Sequence, residues 1–172
     1  MISLKTKRTH DKFYLDEDRR NNPKEYFKFI IDNIQLDLNN LKIIDIGCAT
    51  GDFLFYINSL FPKANIFAAD IDKELLSEAK KNVPSIKECF QLDISNLETL
   101  EKFDAIFMLG VHSIFDDLKW INSIKLMLKN ENSKAYIFGI FNPDKIDVII
   151  RGRESNSNQD WETGWNVFSK ES

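Results

Sequence analysis

Cysteine is scarce in this 172-residue chain. Cys48 and Cys89 are the only two; they form no C-x-x-C pair and have no neighbouring histidine. A disulfide framework and a zinc site are both excluded on spacing, and no metal is expected. Six glycines and four prolines are too few for a collagen-like or low-complexity chain. No single charge dominates either: 23 Lys+Arg against 27 Asp+Glu leave a net charge of -4, which gives no field for nucleic acid or anionic lipid. No apolar run approaches the roughly 18 residues of a membrane span. The opening MISLKTKRTH has basic side chains but no apolar stretch after them, so a secretory signal is not expected. These absences together lead us to expect a cytoplasmic protein acting on a small molecule.

What remains is an ordinary globular mix, 43% hydrophobic and 29% charged, at the length of one domain with a full core. Asn22, Pro23 and Glu25 read as a helix start, with Asn as cap and Pro at the first helical position. Phe27, Ile30, Ile31, Ile34 and Leu38 follow at spacings of three and four, predicting an amphipathic helix that ends near Asn39-Asn40. Next, Lys42 to Ile46 (KIIDI) reads as a buried strand, the small-residue stretch from Gly47 to Gly51 as a tight turn, and Phe53, Leu54, Ile57 and Leu60 as a helix. The unit repeats with a strand at Asn65 to Asp70 and a helix capped by Asp72 that carries Leu75, Leu76 and Ala79. Further strands are predicted at Ile86 to Leu92, Phe103 to Leu109 and Lys134 to Phe141, with a helix over Asp116 to Lys129. Apolar strands alternating with helices predict an α/β fold: a Rossmann-like, doubly wound, mainly parallel sheet covered on both faces.

The later part of the chain is less regular. Ile146, Val148, Ile149 and Ile150 predict one more buried segment, Asn142-Pro143 a turn, and Glu154 to Asp160 (ESNSNQD) a polar loop. Ser169 reads as the cap of a helix that the chain does not continue, so a fragment is expected. Three regions follow: a lead-in or lid over 1–22, a ligand-binding core over 23–145, and a C-terminal substrate-side segment over 146–172.

In an open parallel sheet, ligands bind at the carboxyl ends of the strands, where the winding reverses. The turn after the first strand is Asp45-Ile46-Gly47-Cys48-Ala49-Thr50-Gly51-Asp52. A dinucleotide loop requires G-x-G-x-x-G/A, but Ala49 and Asp52 occupy its second and third positions; the P-loop fails for want of a Lys-Ser or Lys-Thr after Gly51. NAD, FAD and nucleoside triphosphates are therefore disfavoured. Asp45 lies at the end of a buried strand, where an unpaired carboxylate is costly. Asp70, about 20 residues after the turn, has the spacing of a ribose-binding acid, and Asp93 repeats the arrangement at the next strand end. Three carboxylates at successive strand ends suit a ligand that combines a nucleoside with positive charge, and S-adenosylmethionine has both.

The residues IIDIGCATGDF (43–53), AADID (68–72), QLDIS (91–95) and FDAIFMLGVH (103–112) resemble the class I S-adenosylmethionine-dependent methyltransferases over about residues 25 to 141. The resemblance implies that Asp45 and the backbone of Gly47, Cys48, Ala49 and Gly51 hold the methionine end of the cofactor. It also implies that Asp70 binds the ribose, Ile71 packs on the adenine, Asp93 and the Ile94 N–H meet the adenine edge, and Leu109 lines the wall. The family more often has glycine at the position of Ala49, and its core usually continues through two strands after the fifth, which this sequence does not supply.

Methyl transfer from a sulfonium is an in-line displacement that depends mainly on alignment. His112 is the candidate general base, with Asp116 or Asp117 to orient it; the alternative is a polar residue at a helix start. The motif Leu109-Gly110-Val111-His112 lacks the Asn/Asp-Pro-Pro-aromatic pattern of adenine and amide methylation, which favours oxygen or an ordinary amine. Tyr14, Arg19 and Arg20 are candidate lid residues, or else a solvated tail. Arg151 and Arg153 are candidates for an acidic acceptor, and Trp161, Trp165 and Phe168 for an aromatic wall, or else for surface solvation and apolar anchoring. The expected function is methyl transfer to a small-molecule acceptor, on oxygen of a metabolite or sugar precursor. Its competitors are a non-catalytic S-adenosylmethionine-binding regulatory or partner subunit, a nucleotide-cofactor oxidoreductase, and a methyltransferase of macromolecules.

Overall fold

The computed structural model describes residues 13–16, 20–96, 101–153 and 162–171. Helices α1 (Phe13–Asp16) and α2 (Glu25–Asn33) precede β1 (Lys42–Ile46), α3 (Asp52–Leu60), β2 (Asn65–Asp70), α4 (Lys73–Asn82) and β3 (Glu88–Gln91). The chain continues through β4 (Ala105–Leu109), α5 (Lys119–Met127) and β5 (Lys134–Phe138) to the short strands β6 (Phe141–Asn142), β7 (Arg151–Gly152), β8 (Glu162–Thr163) and β9 (Phe168–Ser169).

Strands β1 to β5 form one sheet in the order β3-β2-β1-β4-β5, and every pairing is parallel. This is a Rossmann-like α/β fold. Parallel neighbours need crossovers, which the helices supply, and each helix buries its apolar face against the sheet. Side-chain alternation along β1 divides the core. Ile43 faces a layer with Phe27, Leu54, Ile57 and Leu76 from α2, α3 and α4. Ile44 and Ile46 face a second layer with Trp120, Ile124 and Met127 from α5. The winding reverses between β1 and β4, so the carboxyl ends of these two strands flank the crevice where such sheets bind ligands.

Several boundaries differ from expectation. Helix α2 starts at Glu25, not at the Asn22-Pro23 pair: Lys24 is extended (φ -57°, ψ 141°), and the first turn closes on its carbonyl through Phe27 N–H at 2.9 Å. The helix ends at Asn33 because Gln35 turns left-handed (φ 47°), and Leu38 reaches the core from the following loop, fully buried. Strand β3 is shorter and only half-buried, as befits the edge of the sheet, and Ile86 is buried before the strand begins. Phe103 lies just ahead of β4 in a bridge to Leu128. Helix α5 starts late, where the Asp117 carboxylate accepts the Lys119 N–H at 3.0 Å. Leu60 is exposed at the end of α3. Asp72 caps α4 as expected, accepting from the N–H groups of Glu74 and Leu75.

The C-terminal segment departs furthest. Ile146, Val148, Ile149 and Ile150 are exposed, not buried, because this stretch leaves the sheet and is held by backbone pairing such as the Val148–Val167 bridge. Ser169 does not cap a helix. It pairs with Asn142 in the parallel β6–β9 ribbon, and its N–H is donated to Asp147 Oδ1 at 2.7 Å. Asn142 Oδ1 accepts from Asp144 N–H, which forms the expected turn at Asn142-Pro143. The anchor of the segment is Asn166, a residue with no sequence signal. It is 1% exposed, donates its amide to Phe115 O at 2.6 Å, accepts Ile150 N–H at 2.7 Å, and donates its own N–H to Ser113 O. The expected loop at 154–160 and Trp161 lie outside the described residues.

One glycine is fixed by packing alone. A Cβ on Gly139 would lie 1.8 Å from the His112 ring, so Gly139→Ala must displace a buried imidazole. We expect it to destabilise the protein by about 1–3 kcal/mol, read from urea denaturation against the parent chain.

Candidate functional site

The site is built where β1 turns into α3. Gly47 N–H (2.8 Å) and Cys48 N–H (3.0 Å) both donate to the Ala69 carbonyl of β2, and Ala49 N–H donates to Asp70 Oδ2 at 2.9 Å. Gly51 N–H closes the turn on Cys48 O at 2.9 Å. Each of these four amides therefore has a protein acceptor. The turn needs glycine first at Gly47, where φ is +73° and a Cβ would lie 2.2 Å from Val111 Cγ2. Ala49 also takes a left-handed conformation, φ +48°, which costs a residue with a Cβ about 1–2 kcal/mol. Gly51 is also left-handed (φ +83°), and a Cβ there would lie 3.1 Å from Ala79 Cβ of α4.

Beside this turn is a cavity lined by Asp45, Gly47, Cys48, Ala49, Asp70, Ile71, Asp93, Ile94 and Leu109. Nine of the ten residues expected around the cofactor thus share one wall; Gly51 does not. The Asp70 carboxylate is nearly buried and also accepts Asp72 N–H through Oδ1 at 3.0 Å, so it fixes the turn on one side and the start of α4 on the other. Asp93 Oδ1 accepts the N–H of Ser95 at 2.9 Å and its hydroxyl at 2.6 Å. Ile71 is 54% exposed, an apolar face on the rim of the cavity.

Asp45 is the strained member. It is 3% exposed, and its Oδ1 has no hydrogen-bond partner among the described residues. Burial, and next the charge of Asp70, push its carboxyl well above the ordinary value of 3.8. Burial likewise raises the Cys48 thiol, with Asp45 and Asp70 adding to the effect, so Cys48 is a neutral wall residue and not a thiolate nucleophile.

The residues expected on the acceptor side are placed differently. His112 does not line the cavity. It is 0% exposed; its ring stacks on Phe141 with centroids 4.5 Å apart and planes 12° apart, and its Nε2 lies 3.2 Å from Ile140 O. Burial lowers its pKa, which keeps it neutral. The 3-10 turn at His112–Ile114 swings the ring toward the β5–β6 corner, where Gly139 leaves room for it. The two acids expected to orient it are engaged elsewhere, Asp116 with Arg151 at 2.8 Å and Asp117 with Lys119 at 2.9 Å. Arg151 is therefore tied to the loop after β4, and neither it nor Trp165, which is 65% exposed, is on the cavity wall. Arg20 is also elsewhere, donating to Asn82 Oδ1 at 2.7 Å. Arg19 lies outside the described residues. Of the described residues of the expected lid, Tyr14 reaches the wall.

Sequence reasoning missed Lys24, Tyr26, Ser95, Val111, Ile114 and Phe115, all of which line the cavity. Ser95 had a signal, the Asp-x-Ser spacing of a side chain that bonds backbone two residues on. The others are brought in by the entry angle of α2 and by the 3-10 turn after β4, which leave no local pattern.

This chain matches the family described as "Methyltransferase domain" over residues 44–132, more than half its length. It is 29% identical over 104 residues to a malonyl-[acyl-carrier protein] O-methyltransferase of Bacillus anthracis, covering 59% of this chain and 36% of that protein. It is 30% identical over 117 residues to the putative methyltransferase 235L of Invertebrate iridescent virus 6, covering 64% and 41%. The chain thus spans less than half the length of these curated relatives. Among solved structures, an S-adenosylmethionine-dependent methyltransferase from Clostridium acetobutylicum shares the fold with a TM-score of 0.62 at 20% identity, covering 94% of this chain and 80% of that one. The strand order, the turn after β1 and the sequence match agree: the chain belongs to the class I S-adenosylmethionine-dependent methyltransferase family.

Proposed function

We propose that this protein transfers the methyl group of S-adenosylmethionine to an oxygen of a small-molecule acceptor, a metabolite or sugar precursor. The observation that carries the reading is the buried, unpartnered Oδ1 of Asp45 on the wall of the cavity that Asp70 and Asp93 share. A carboxylate there calls for a cation, and a cofactor with ammonium and sulfonium charges supplies one. Asp45 with Gly47, Cys48 and Ala49 would hold the methionine end, Asp70 the ribose, and Ile71, Asp93 and Ile94 the adenine, with Leu109 on the β4 side. In this reading residues 23–145 form the cofactor core, 146–172 the acceptor-side segment and 1–22 a lid.

Bound there, S-adenosylmethionine supplies a methyl group on a positively charged sulfur. The chain's task is alignment: rigid strand ends fix the cofactor, and the acceptor oxygen must meet the methyl in line with the sulfur. Among the described residues the cavity wall holds no histidine. An acceptor oxygen that already carries its negative charge, as in a carboxylate, needs no base. The name of the Bacillus relative, an O-methyltransferase, supports oxygen as the acceptor.

Calorimetry of the chain with S-adenosylmethionine and S-adenosylhomocysteine should show micromolar binding of both and none of NAD. Asp70→Ala should weaken both at least about tenfold, the worth of a lost hydrogen bond to a charged group. Methyl transfer from labelled cofactor to a panel of carboxylic acids, alcohols and amines then identifies the acceptor class, and binding without transfer to any of them would indicate a non-catalytic binding subunit.

A second expectation follows from Asp45. Its carboxyl in the folded chain is raised above the unfolded value, so stability without ligand should fall as pH rises from about 4, where unfolded chains release a proton that the folded chain retains. A cation bound beside Asp45 favours the carboxylate, so cofactor binding should release a proton and tighten with pH. Calorimetry in two buffers of different ionisation enthalpy reads this release. Asp45→Asn should abolish the release and flatten the pH dependence of thermal unfolding.

A further inference from the structure

The loop after β4 serves two neighbours. Its Val111, Ile114 and Phe115 line the cavity, and Val111 packs over Gly47 of the turn after β1. The same loop is tied at three points to the chain after β5. The buried His112 ring stacks on Phe141, with Nε2 3.2 Å from Ile140 O. Asp116 pairs with Arg151 at 2.8 Å. Between these two ties, Asn166 donates its side-chain amide to Phe115 O at 2.6 Å and its N–H to Ser113 O at 2.8 Å.

The other end of the Asn166 side chain accepts Ile150 N–H at 2.7 Å. One amide thus joins the loop to the ribbon formed by 148–152 and 162–167, and at 1% exposure a broken bond there leaves a buried polar group unpaired. The backbone is shaped to put it there. Val148 stands opposite Val167 and Arg151 opposite Thr163, so one side of the ribbon advances three residues while the other advances four. The extra residue makes a bulge, a device that re-aims side chains. Within it Trp165 takes φ +61°, a left-handed backbone that is costly for a residue with a Cβ, and is left 65% exposed while Asn166 turns inward. The ribbon has little else to hold it: β7 and β8 are two residues each, and Ile146, Ile149 and Ile150 are exposed. Elements with few buried apolar contacts open at low cost.

We infer that Asn166 is a positioning residue for the cofactor cavity. It holds the backbone of Ser113 and Phe115, and through it the wall at Val111, Ile114 and Phe115, so that docking of the ribbon and filling of the cavity favour each other. The inference rests on the cofactor reading above, and gives the chain after β5 a part in setting cofactor affinity.

Hydrogen exchange and calorimetry on the full chain, with and without S-adenosylhomocysteine, test it. Saturating ligand should slow exchange of the Val148, Ile150 and Val167 amides, which bond within the ribbon, by about 2- to 30-fold, the range of coupling carried by a packed network. Asn166→Asp keeps the acceptor for Ile150 and removes the donor to Phe115; Asn166→Ala removes both. Each should weaken S-adenosylhomocysteine by a factor similar to that slowing, because coupling is reciprocal, and each should abolish the slowing itself. Exchange in β1 and β4 at parent rates would show that the variants are folded. A residue that only steadied the fold would leave the affinity of folded molecules unchanged. Parent-like affinity in both variants, or ribbon exchange in the parent chain that ignores bound ligand, would overturn the assignment of Asn166 and leave the cofactor reading standing. A folded parent chain that binds no S-adenosylhomocysteine would overturn both.

Discussion

The site depends on one splice between two neighbouring strands. At the end of β2 the Ala69 carbonyl takes two N–H groups from the turn after β1, and the next residue, Asp70, takes a third on its side chain. This arrangement gives the turn its left-handed positions, starts α3 in the right direction and places Asp45 and Asp70 on one wall. It is possible because β1 and β2 are parallel and in register, Ile46 opposite Ala69, so both strands end at the same level. Gly47 admits Val111 from the end of β4 against the same turn, which closes the third side.

The electrostatic consequence is a cavity that is unfavourable to itself. Burial, and next the charge of Asp70, raise the cost of ionising Asp45, whose Oδ1 has no hydrogen-bond partner among the described residues. A protein selected only for stability would place an apolar residue there. Strain of this kind is what a bound cation would relieve. The hydrogen bonds within the turn occupy the N–H groups of Gly47, Cys48, Ala49 and Gly51.

Away from the cavity, the described chain after β5 is held by polar backbone pairing and by the buried Phe168 ring. Asn166 joins three backbone positions from two distant loops, and the Arg151–Asp116 pair ties the same two regions together. His112 belongs to this corner: its ring fills the space that Gly139 leaves and stacks on Phe141. A histidine just after a ligand-binding strand reads as a base in sequence, yet here it serves to close the β5–β6 corner.

By itself the sequence determined the alternation of strand and helix, the parallel sheet, the turn after β1 and the strand-end acids. Each of these rests on a local signal: apolar runs of five or six residues, small residues in a turn, and carboxylates where strands stop. Tertiary structure decided which way side chains pointed once the local pattern ended. That is why His112 and Arg151 left the expected acceptor side, the isoleucines at 146, 149 and 150 stayed exposed, and Lys24 and Tyr26 entered the wall. A rotation of one short turn, or the entry angle of one helix, moves a side chain from a cavity to a core without changing any spacing along the chain.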